Sequence, residues 1–167
     1  VLRGAMAQTP HVRVLPFHLV RRQGFSLQMQ GARAVEVKTP EVCICPGGHA
    51  HRLFVGRSGH VTALDAILSG NGPRPAHARD AAATELVCGV FMARSPPLSP
   101  MLGALPSVVK VSTGDEARYP ALAGAVALLL AELNRNAGGG FTVSRLLEIF
   151  CAEAFRAELH VTGEERP

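Results

Sequence analysis

The hydrophobic period of this chain changes once, and that change limits the folds open to it. Between residues 12 and 62 the apolar residues come in short runs: "VRVL", "FHLVRR", "FSLQMQ", "RAVEV", "EVCIC" and "HRLFV". Turn formers separate several of these runs: Gly24, Gly31, Pro40, Pro46-Gly47-Gly48 and Gly56. Runs so short and so closely spaced predict antiparallel strands of a sandwich or barrel. In "FSLQMQ" the alternation puts Phe25, Leu27 and Met29 on one face and Ser26, Gln28 and Gln30 on the other. Residues 63–69 predict one or two helical turns, residues 70–82 a loop, "TELVCGVFMA" a returning strand, "MLGALP" a short helix and "SVVKV" a last strand.

From residue 121 the period becomes helical. Pro120 suits the first helical position with Tyr119 before it as cap, and residues 121–133 are apolar or Ala apart from Glu132. A helix apolar all round must be covered on more than one side. "NRNAGGG" stops it, and a second helix is expected over 142–160, where Val143, Leu146, Leu147, Phe150, Cys151 and Ala154 share a face. Strands first and helices last is an α+β order: a β-barrel over 1–115, then a helical hairpin over 116–167 that ends at the start of a linker. The hairpin has more apolar surface than a small barrel covers. The surplus either packs on the barrel or forms a homodimer interface through 121–160.

Composition narrows the class. At 47% hydrophobic and 18% charged residues, the chain has enough apolar side chains for a packed core. The formal charge of +4 comes from scattered arginines and not from a cluster, so it is a weak pointer to nucleic acid. "VLRGAMAQTPHV" holds no run of signal-peptide length, and "YPALAGAVALLLA" is too short to span a bilayer. The expectation is a cytoplasmic protein with reduced thiols and no membrane partner.

"PEVCICPGGHAH", residues 40–51, concentrates metal-binding atom types. On a strand, Cys43 and Cys45 point to one face, with Val42 and Ile44 on the other. Two thiols at i, i+2 are not the C-x-x-C knuckle of structural zinc, and buried cysteine packs as a small hydrophobe. His49 and His51 fall at H-x-H spacing, which on a strand lets two imidazoles converge on one ion. The alternative is a pair of partly exposed turn histidines.

The same stretch resembles the second motif of the cupin barrel, with Pro46, Gly48 and His51 in the P-x-G-x-x-H positions and Pro40 in place of the leading glycine. With "PFHLVRRQGFSLQMQG", "TELVCGVF", "MLGALPSVVKV" and "LLEIFCAEAFRAELH", the order over residues 14–160 is similar to the N-terminal cupin domain of AraC-type transcription regulators. That resemblance implies a jelly-roll-like barrel that senses a small effector, dimerises through the helices after it, and reaches DNA only through a C-terminal helix-turn-helix region not in this chain. It departs from metal-dependent cupins. Phe17 stands where their glutamate would be, with His18 beside it, and His49 stands where an acidic residue is usual.

The candidate metal ligands are therefore His18, His49, His51 and Cys88, a mixed imidazole and thiolate set that suits zinc. In the competing account His18 and Cys88 are core residues and His51 bonds to backbone. No Ser–His–Asp order, phosphate-cradling loop or carboxylate pair is visible, so no enzymatic activity is expected. The reading is a sensor and dimerisation domain. Its rivals are a stand-alone metal cupin enzyme and a purely structural dimerisation module.

Overall fold

The computed structural model describes residues 12–56, 62–63, 66, 69, 83–94, 105–135 and 140–164. Most of the expected helix at 63–69, the loop at 70–82 and most of "MLGALP" lie outside these residues. Seven strands and two helices follow in chain order: β1 (Val12–Arg22), β2 (Gly24–Met29), β3 (Val35–Lys38), β4 (Glu41–Ile44), β5 (His51–Phe54), β6 (Glu85–Arg94), β7 (Val109–Ser112), α1 (Pro120–Asn134) and α2 (Gly140–Glu164). The strands make two antiparallel sheets, β6-β1-β4-β7 and β3-β2-β5. Among the described residues no ladder joins them, so the expected barrel is seen as two facing sheets.

"VRVL" and "FHLVRR" were separate runs in the sequence because Pro16 divides them, yet they form one strand. The reason lies on the β4 side of β1. Cys45 N–H donates to the Pro16 carbonyl at 2.8 Å, so the N–H that proline lacks would have faced Cys45 as well. The Cys45 carbonyl accepts instead from Gly48 N–H at 3.0 Å. The turn after β4 thus replaces the missing ladder bond, and pairing with β6 runs past Pro16 opposite Val90.

The four-stranded sheet is buried on both faces. Leu15, Phe17, Leu19, Val42 and Ile44 pack against α1 and α2, around Leu122, Phe150 and Ala154. Val20, Cys43 and Cys45 face the other sheet and meet Phe25, Leu27 and Met29. The expected alternation of β2 and the opposed faces of β4 are therefore present. Proline at the first position of α1 after Tyr119 is also as expected. α2 starts two residues earlier and ends four residues later than its apolar stripe suggested.

Phe150 is fully buried where the helices meet the sheet, with its ring 5.5 Å from Phe17 and 6.1 Å from Phe91. Phe150→Ala is expected to destabilise the fold by about 3–5 kcal/mol. Ile149→Ala, at a neighbouring position that is 51% exposed, should cost less than about 1 kcal/mol. Urea unfolding of the two variants checks this.

Candidate functional site

β1 alternates between the helix layer and the inter-sheet layer, which sends His18 inward between Phe17 and Leu19. His18 is only 7% exposed. In register it lies between Cys43 of β4 and Cys88 of β6. A buried imidazole has two nitrogens to satisfy. Here Nδ1 lies 3.0 Å from Cys88 Sγ, and Nε2 lies 2.7 Å from Nε2 of His51. His51 opens β5 of the opposite sheet, across from Met29, so this contact ties the two sheets together.

The far end of the chain of contacts fixes its direction. His51 Nδ1 lies 3.0 Å from the His49 carbonyl, which only accepts, so Nδ1 carries the proton. Neutral His51 then presents a bare Nε2 that accepts from His18 Nε2–H. That leaves His18 Nδ1 bare, accepting from the Cys88 thiol. The four groups form one directed relay, Cys88 S–H to His18 to His51 to the His49 carbonyl, with each ring neutral.

Burial enforces this neutrality. It lowers the pKa of His18 to about 4, with a smaller contribution from a charge on His51. It raises Cys88 to about 11, although that residue keeps an exposed edge, and Cys45 also to about 11. Cys43 is pushed above the usual thiol range, first by burial and then by Cys45, Cys88 and Glu41, while a hydrogen bond to the His18 backbone opposes the shift.

Of the four candidate ligands, His18, His51 and Cys88 meet through their side chains. His49 joins through its carbonyl. Its imidazole is exposed and turned onto Gly47, where an added Cβ would come within 2.6 Å of the ring. The H-x-H argument assumed one strand for both histidines. Residues 48–50 precede β5, so the period-two rule does not carry His49 to the face of His51. Gly48 holds the turn with φ +63°, and a Cβ there would meet the Val14 carbonyl at 2.5 Å.

Cys88 and His51 lie at opposite nitrogens of His18, so in this arrangement one ion cannot take all three side chains. Among the described residues no three His, Cys, Asp or Glu side chains are placed to hold a metal ion. A four-donor tetrahedral shell does not form from this set. The sequence reading passed over the His49 carbonyl, for which H-A-H carries no signal, and the position of Cys43 beside His18, which only strand register reveals.

Two facing antiparallel sheets, with a histidine delivered inward by a P-x-G-x-x-H turn and a helical hairpin behind, define a small double-sheet β domain. The chain belongs to the cupin family, whose sequence pattern matches residues 2–160 and so takes in both sheets and both helices. No curated protein and no solved structure matches the chain. Among the described residues no helix is long and apolar enough to cross a membrane.

The lowered pKa of His18 makes stability depend on acid. The unfolded chain takes up this proton near pH 6.5 and the folded one near 4, so the contribution is complete above pH 6.5 and is lost as pH falls toward 4, by roughly 2–3 kcal/mol. Urea unfolding of chelator-treated protein at pH 7 and pH 4.5 measures it. The difference between the two pH values should shrink by about that amount in His18→Gln.

Proposed function

We propose that this cupin domain is the sensing and dimerisation part of an AraC-type transcription regulator. It takes a small ligand at the inter-sheet layer and passes the bound state to a homodimer interface on the helical hairpin. In this reading the chain binds and transmits and does not turn over a substrate. DNA is reached only through a C-terminal region outside this chain, and the site of action is the cytoplasm.

The observation that carries the reading is the outer surface of the hairpin. Ala121, Gly124, Ala127, Leu128 and Ala131 recur along one side of α1 and are exposed, with no charge among them. Leu128 is 60% exposed and Ile149 on α2 is 51% exposed. An uncharged helix face with large exposed aliphatics fits a protein partner, and a second copy is the simplest one. Leu147, by contrast, packs on the helix–sheet core and is a poor probe of an interface. The filled inter-sheet layer around Phe25, Leu27 and Met29 favours a second reading, a structural dimerisation module in which the His18–His51 contact is only a tie between sheets.

Light scattering on the purified chain tests the dimer. The expected result is a dimer at tens of micromolar that becomes a monomer in Leu128→Arg with an unchanged urea midpoint, since that side chain is mostly in solvent. A monomer at high micromolar concentration for the unmodified chain removes the reading. The apolar character of both helices also leads to an expectation of no sequence-specific DNA binding by this chain. A gel shift that persists in salt on one promoter and fails on scrambled DNA would contradict it.

A further inference from the structure

We propose that the sensed ligand is a soft monovalent metal cation, copper(I), held in two-coordinate fashion between Cys88 Sγ and Nδ1 of His18. The inference rests on the reading of the inter-sheet layer as the sensing site and supplies its ligand class.

The argument starts from the relay. The His49 carbonyl fixes the His51 tautomer, and His51 fixes that of His18, so His18 already aims a bare Nδ1 lone pair at the Cys88 sulfur, 3.0 Å away. A cation that replaces the thiol proton between these atoms leaves every other hydrogen bond in place. An ion placed between the two Nε2 atoms does not. It would displace the His18 proton onto Nδ1, where it would meet the Cys88 S–H donor head on. The relay thus favours the sulfur side of the ring.

Donor number and charge then choose the ion. Two donors do not satisfy a tetrahedral zinc ion, and no third metal-binding side chain is placed there among the described residues. Soft thiolate ligands select copper(I). Binding is a simple exchange: Cys88 S–H loses its proton to solvent, the sulfur keeps the electron pair and bonds the cation, and Nδ1 donates its own pair. No electron is transferred. One thiolate and one copper(I) sum to zero charge. The same thiolate with a divalent ion leaves a net positive charge in surroundings that already resist protonation of His18.

Access fits as well. Cys43 and Cys45 are fully buried, whereas Cys88 keeps an exposed edge on β6, the terminal strand of the described four-stranded sheet. A near-linear S–metal–N unit with bonds of about 2 Å each asks the two donors to separate by roughly 1 Å. An exposed cysteine on a terminal strand supplies that by a small side-chain rotation.

The experiment is an anaerobic titration of reduced protein with copper(I) against a chromophoric copper(I) chelator, with zinc(II) titrated in parallel. One equivalent of copper(I) is expected. Cys88→Ser should weaken it at least 100-fold while leaving the urea midpoint close to that of the unmodified chain. The Cys43→Val, Cys45→Val double variant should stay within about threefold. His51→Gln, which disturbs only the group that orients His18, should weaken it by about 10- to 100-fold. Absence of copper(I) binding overturns the proposal, as does copper that follows Cys43 and Cys45, or zinc held with comparable affinity at the same residues. The titration reports the ion site and light scattering reports the dimer, so either reading can fail without the other.

Discussion

The fold depends on burying both faces of the sheet that holds β1 and β4. Val42 and Ile44 face the helices while Cys43 and Cys45 face the second sheet, and all four are fully buried. A strand in that position has no solvent face to which a polar side chain can turn. His18 sits in β1 under the same constraint, so its two ring nitrogens must find partners inside the protein. Leaving either unsatisfied would cost about 1–3 kcal/mol. The contacts to Cys88 and His51 answer that demand, and because His51 belongs to the opposite sheet they also help set how the two sheets face each other.

The turn between β4 and β5 serves both the strand ladder and the site. Gly48 N–H satisfies the Cys45 carbonyl that Pro16 cannot reach, and the backward path this requires brings Gly48 against the Val14 carbonyl. The same turn delivers the His49 carbonyl and the His51 ring. A residue with a Cβ at position 48 would press on the β1 backbone and displace the relay acceptor three bonds along the chain. Fold and site are therefore coupled through a few backbone atoms and not through a rigid side-chain cage.

Much of this was legible in the sequence, because it follows from period and turn chemistry. The alternation of "FSLQMQ", the opposed faces of "EVCIC", and Pro120 as the opening of a helix are local signals, and each has its counterpart in the structure. The single strand through Pro16 was not legible, since it depends on a bond from Gly48, thirty-two positions away. The site was legible in its members and not in its arrangement. Residue types and strand placement brought His18, His51 and Cys88 to one neighbourhood. Which nitrogen of His18 faces which partner depends on register between β1 and β6 and on the gap between sheets, and neither is written locally. His49 shows the limit most clearly. Its side chain drew attention, while its contribution is a carbonyl that any residue would supply.

The four cysteines illustrate how one residue type divides into roles through depth and neighbours. Cys43 and Cys45 have no exposed surface and sit among Val20, Phe25 and Leu27, so they act as small apolar side chains, and burial holds their thiols protonated. Cys151 is partly exposed at the helix–sheet core, and burial raises its pKa to about 12. Cys88 differs in having both a polar partner and a path to solvent. Its thiol is the only one of the four with a hydrogen bond to a ring nitrogen among the described contacts, and that nitrogen is kept bare by groups on the opposite sheet. Any event that removes or replaces the Cys88 proton is therefore felt by His18, then by His51, and so by the spacing of the two sheets. β1 carries that disturbance onward, because Phe17 and Leu19 on either side of His18 point into the core formed with α1 and α2. The route from the inter-sheet layer to the hairpin is one residue long: it is the alternation of β1 itself.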